Sequence, residues 1–104
     1  MTSLPTEIFR HWTHSHEEDT EEARVYRPDE FEFPPARGRR GLELQSDGEF
    51  VRYDIAPADG IDELAGRWEA EGSERVRVAL PDREPYTLTI LSVDADVLRI
   101  ARAS

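Results

Sequence analysis

Gly41-Leu42-Glu43-Leu44-Gln45-Ser46-Asp47-Gly48-Glu49-Phe50-Val51-Arg52-Tyr53-Asp54-Ile55 reads as a β-hairpin. Asp47-Gly48 lies between two alternating runs, and both residues tolerate the positive φ that a two-residue type I′ turn demands. Before the turn, Leu42 and Leu44 alternate with Glu43 and Gln45. After it, Val51, Tyr53 and Ile55 alternate with Arg52 and Asp54. Side chains along a strand alternate between its two faces, so Leu42 and Leu44 on one arm, and Val51, Tyr53 and Ile55 on the other, are expected to face the core. The rest of the chain is expected to cover that apolar face.

C-terminal to the hairpin, residues 57–66 read as a connection with one helical turn over 61–65, stopped by Gly66. Trp68 opens a second hairpin, with a Glu71-Gly72-Ser73-Glu74 turn and then Val76, Val78 and Leu80 at alternate positions. Pro81-Asp82 turns the chain into a strand bearing Tyr86, Leu88 and Ile90 on one face. Asp94-Ala95-Asp96 turns it again into a last strand over 97–101, with Leu98 and Ile100 inward.

On the N-terminal side, residues 1–7 read as a loose leader, because Pro5 discourages regular structure. Residues 8–17, with Phe9, Trp12 and Thr13, have the aromatic and β-branched content of a first strand. Five carboxylates in the six positions 17–22 repel one another and predict a solvated loop. Residues 23–27 form a short strand closed by Pro28, and residues 29–40 a long connection. Within it Phe31 and Phe33, two positions apart, are expected to face the same way and cover one end of the core. The sum is seven or eight short strands with almost no helical periodicity. That predicts a single all-β domain over 1–104, a small antiparallel meander closed into a β-barrel.

Composition narrows the partners. The 104 residues carry 23 acids against 13 bases, a formal charge of −10. Such a chain repels a phosphate backbone or an anionic membrane, so neither nucleic acid nor membrane is an expected partner. Cysteine is absent, which removes disulfides and thiolate chemistry. No apolar run approaches the roughly 20 residues that span a bilayer, and the first residues lack the basic head and apolar core of a signal peptide. A cytoplasmic location is the expectation.

The order of landmarks resembles small bacterial lipocalin-like domains. The matching residues are Trp12 on an early strand, Asp47-Gly48-Glu49-Phe50, and Gly66-Arg67-Trp68 ahead of the paired C-terminal strands. Arg10-His11 stands before the first Trp where true lipocalins have Gly-x. The resemblance implies a barrel with a cavity or end pocket for a small ligand. It also implies an arginine of the last strand, Arg99 or Arg102, packed across Trp12 as a cation–π pair. An eight-stranded barrel is just wide enough to be filled by its own side chains or to hold one small molecule.

Three clusters carry possible chemistry. On a strand, His14, His16 and Glu18 share a face, and two imidazoles with a carboxylate offer three ligands to a divalent metal such as Zn²⁺. The plainer reading leaves them as exposed strand-end residues beside an acidic loop. Arg37-Gly38-Arg39-Arg40 is the one basic cluster. The cluster, with Arg37 and Arg39 as its candidate ligand contacts, reads as an anion or carboxylate site at the barrel mouth, or as counter-charges to the acids at 17–22 or to Glu30 and Glu32. Tyr26, Phe31, Phe33, Tyr53 and Trp68, with Trp12, would line an apolar pocket or form the core. No Ser-His-Asp order, glycine-rich phosphate loop or nucleotide fingerprint occurs, so nothing points to an enzyme. The expected function is a binding module for a small, partly apolar ligand, needing no cofactor unless the histidines take a metal. The alternative is a structural or interaction protein forming a homo-oligomer. The expected state of the chain is a monomer or a homodimer.

Overall fold

The chain forms eight strands, several of them alternating inward apolar with outward polar side chains. These are β1 (His11–His14), β2 (Ala23–Pro28), β3 (Gly41–Leu44), β4 (Glu49–Ile55), β5 (Ile61–Ala70), β6 (Arg75–Ala79), β7 (Tyr86–Val93) and β8 (Leu98–Ala101). A computed structural model describes residues 4–35, 38–57 and 60–102. The strands close into an antiparallel barrel in the order β1-β2-β8-β7-β6-β5-β4-β3. From β3 to β8 each strand pairs with the next, whereas β1 is inserted between β2 and β3. The connection over 29–40 therefore passes from β2 to β3 across the intervening strand.

The central hairpin forms, with a different turn from the expected one. Gln45 N donates to Glu49 O at 2.9 Å and Gly48 N to Gln45 O at 3.0 Å, so the loop is three residues long. Gly48 takes φ 97°, while Asp47 keeps a negative φ. This is a type I turn followed by a left-handed glycine, the usual three-residue solution. Asp47 contributes through its carboxylate, which accepts from Glu49 N at 3.0 Å.

The register of β4 overturns the expected face. Leu42 pairs with Arg52 and Leu44 with Phe50, so Phe50, Arg52 and Asp54 point inward with the leucines. Val51, Tyr53 and Ile55 lie on the outer face, where Ile55 is 46% exposed beside its β5 partner Ile61. The other strands point as read: Val76, Val78 and Leu80, Ile90, and Leu98 with Ile100 are buried.

Residues 61–65 are not helical. They begin β5, whose pairing with β4 runs from Ile55↔Ile61 to Glu49↔Arg67 and outweighs the local preference of an Asp-Glu-Leu-Ala run. Gly66 lies within this strand. A Cβ there would collide with the Ala79 carbonyl oxygen and come within 2.7 Å of Leu80 Cδ2, so glycine permits the close approach of β6.

Residues 4–8 do not form a loose leader. Thr6–Ile8 makes a 3-10 turn, and Leu4 and Ile8 are buried in the core cluster. Trp12 Nε1 donates to Ile8 O at 3.0 Å, and Phe9 stacks on Trp68 with ring centroids 5.6 Å apart. Trp68 Nε1 reaches back to Gln45 O at 2.7 Å. These contacts plug the barrel end that carries the β3–β4, β5–β6 and β7–β8 turns.

Candidate ligand-binding site

Among the described residues the opposite end is open. Strand ends there supply Arg24 and Tyr26 from β2, Arg52 and Asp54 from β4, and Tyr86 from β7, with Arg40 leading into β3. Together with Leu42, Phe50, Leu88 and Ile100 they surround a cavity of about 340 Å³. Pairing explains why polar residues lie inside. Arg24 pairs with inward Ile100, Tyr26 with Leu98 and Tyr86 with Val78, while Arg40 has the parity of Leu42. The floor is apolar and continuous with the core; the wall is a ring of guanidinium and phenol groups.

One ion pair stands inside the ring. Arg52 Nε donates to Asp54 Oδ1 at 2.9 Å. Burial pushes the Tyr26 phenol up, against the opposing pull of Arg24 beside it. Tyr86 is likewise pushed up by burial, with Arg52 as the opposing neighbour. Both hydroxyls therefore remain protonated donors at neutral pH.

Of the residues expected to bind ligand, Tyr26 and Tyr53 border this cavity. Tyr53 does so from the outer face, its ring stacked on His11 at 4.3 Å between centroids and its hydroxyl donating to Glu43 at 2.9 Å. Trp12 is fully buried in the core, and Trp68 sits at the plugged end. The cation over Trp12 is Arg10, 5.5 Å from the ring centroid. Arg99 instead bonds Ser92 Oγ at 3.3 Å, and Arg102 bonds Thr20 O at 3.1 Å. Phe31 and Phe33 do not cover the core. They meet edge to face at 4.9 Å outside it, under Arg27 and Arg39 respectively. Phe31 borders an outer depression with Arg27, Pro28, Glu30 and Asp96.

Arg39 is a clasp. Its guanidinium holds Glu17 through two bonds of 2.9 and 2.7 Å and reaches the carbonyls of His14 and Pro34. That fastens the 29–40 connection to the acidic turn, and the Arg39 bond draws the Glu17 carboxyl down to about 2. Arg37 lies outside the described residues.

The geometry behind a three-ligand face on His14, His16 and Glu18 does not hold. β1 ends at His14, and His16–Glu18 forms a 3-10 turn. His14 Nε2 is 2.9 Å from Asp19 Oδ2, and Glu18 takes bonds from Arg27 at 2.9 to 3.3 Å. His16 lies exposed beside Glu17. Among the described residues no group of three His, Asp or Glu side chains is arranged to hold a metal ion.

Arg24, Arg52 and Asp54 escaped the reading of the sequence, whereas Arg40 belongs to the basic cluster expected at the barrel mouth and Tyr86 to an expected inward face. Arg52-x-Asp54 two positions after Phe50 was the available signal, had Phe50 rather than Val51 set the inward face. Comparison with protein-family models, curated proteins and solved structures finds no match for this chain.

Proposed function

We propose that the protein is a lipocalin-like binding module that takes a small, partly apolar molecule into the open end of its barrel. The cavity of about 340 Å³ carries this reading. Small-molecule sites commonly enclose about 300–1,000 Å³, with an apolar lining and a few convergent polar groups. Here Leu42, Phe50, Leu88 and Ile100 form the lining, and the arginine and tyrosine side chains converge above it. Among the described residues, the plug at the other end leaves one entrance.

A screen of small amphiphiles by ¹⁵N and methyl NMR tests the proposal. Binders are expected to shift Leu42, Leu88 and Ile100, and Leu88→Trp, which fills the space, is expected to abolish those shifts. Binders that map elsewhere, or that survive Leu88→Trp unchanged, would overturn it.

A further inference from the structure

We propose that the ligand of this site is a small organic carboxylate, its head group held by Arg24, Arg40 and Arg52 and its apolar body resting on Leu42, Phe50 and Ile100. The inference rests on the reading of the barrel as a small-molecule binder and names the chemistry of what it binds.

Charge distribution is the first argument. The chain as a whole carries −10, yet among the described residues the cavity is bordered by three arginines and one carboxylate, Asp54, a local excess of two positive charges. Walls of low dielectric concentrate such a field in the cleft. Arginines without a carboxylate partner are ordinary on the outer face, as Arg75 and Arg77 of β6 illustrate. Arg24, Arg40 and Arg52 differ because they hold the inward parity of core residues, on three separate segments, around one space.

Allocation of the other cations is the second. Arg10, Arg27 and Arg39 each engage a glutamate outside the cavity, namely Glu30, Glu18 and Glu17. Among the described residues Arg24 and Arg40 have no such carboxylate, although the chain is rich in them. Arg52 alone has its counter-ion in the wall.

Stereochemistry supplies the third. A carboxylate offers about four lone-pair sites and accepts two parallel bonds from one guanidinium. The forks of Arg24 and Arg40, with the Tyr26 and Tyr86 hydroxyls as further donors, match that demand. Asp54 in the same wall disfavours a multiply charged anion, and an ammonium group would meet the positive excess. The apolar floor requires a hydrocarbon body behind the head group.

The test titrates the full chain with octanoate, 1-octanol and octylammonium at matched ionic strength, below micelle formation, followed by NMR. Octanoate is expected to shift Phe50, Leu88 and Ile100 and to bind at least about tenfold more tightly than either analogue, the scale of one charged hydrogen-bonding pair. Arg24→Gln and Arg40→Gln are each expected to weaken octanoate about tenfold and to leave 1-octanol unchanged. Both sites are exposed at the mouth, and the wild-type comparison of the three probes stands without either variant. Equal binding of octanoate and 1-octanol in the cavity would overturn the carboxylate assignment and leave the binding module standing. Cavity binding by none of the three would overturn both.

Discussion

Replacing Ile8 by alanine separates a plugged barrel from one with a loose leader. Ile8 is 1% exposed and contributes its carbonyl to the Trp12 indole. The change removes three carbons, worth about 0.8 kcal/mol each on transfer, or roughly 2.5 kcal/mol. The residual cavity raises the expected loss to about 3–4 kcal/mol. A domain of this size has roughly 5–15 kcal/mol in total, so the variant should fold with a large part of its margin gone. Urea unfolding followed by tryptophan fluorescence reads the effect. With a slope of roughly 1–3 kcal/mol per molar urea, the midpoint should fall by at least about 1 M at an unchanged slope. The melting temperature should fall by more than about 10 °C. Ile61→Ala, at a position 46% exposed, is the control and should stay within about 0.5 kcal/mol. An Ile8→Ala loss as small as the control's would refute the plug, because residues 4–8 would then contribute no more than a solvated tail.

Gly66→Ala should cost about 1–3 kcal/mol in the same assay, since the added carbon meets the Ala79 backbone; an unchanged midpoint would contradict the close approach of β6. Asp19 Oδ1 accepts from Val25 N at 2.8 Å, so Asp19→Ala should lose about 1–3 kcal/mol and speed exchange of the Val25 amide, while Asp19→Asn recovers most of the loss. Glu17 has a folded pKa of about 2, below its ordinary 4.5, so its pair with Arg39 stabilises the fold above about pH 4.5 and that stabilisation fades as pH falls towards 2. Unfolding midpoints measured from pH 6 to pH 2 should therefore decline less steeply in Glu17→Gln than in the wild type, and parallel curves would contradict the assignment.

Where the interior is hydrocarbon, apolar alternation along the chain indicates the right faces. Leu42 and Leu44, Val76 to Leu80, and Leu98 with Ile100 all point as their alternation indicates. Alternation failed on β4 because the interior there is a polar mouth. Arg52 and Asp54 face inward, so the apolar set Val51, Tyr53 and Ile55 marks the outside. β5 was obscured for a related reason. Asp62 and Glu63 sit on opposite faces near the mouth, where neither face is dry, and only the partner strand reveals the extended conformation. The ring of arginines was legible only at Arg40, in the basic cluster, because Arg24 and Arg52 lie elsewhere in the chain and border the same cavity only when β2, β3 and β4 take their places in the barrel. Among the expected ligand contacts, Tyr26 shares the inward parity of Leu98 and borders the open-end cavity.

The insertion of β1 between β2 and β3 constrains how the chain reaches its native state. The run from β3 to β8 can zip up by successive local hairpins, each closing a short loop. The remaining seams cannot. β2 must find β8 across nearly the whole chain, and β1 must dock on β2 and β3 at once, each contact preserving the gap that the other fills. Loop-closure entropy falls due at these seams before any packing rewards it. Refolding should therefore run in two kinetic stages, an early six-stranded curl and a slower insertion. Trp12, carried on the last strand to arrive and buried only then, would report the second stage by its fluorescence.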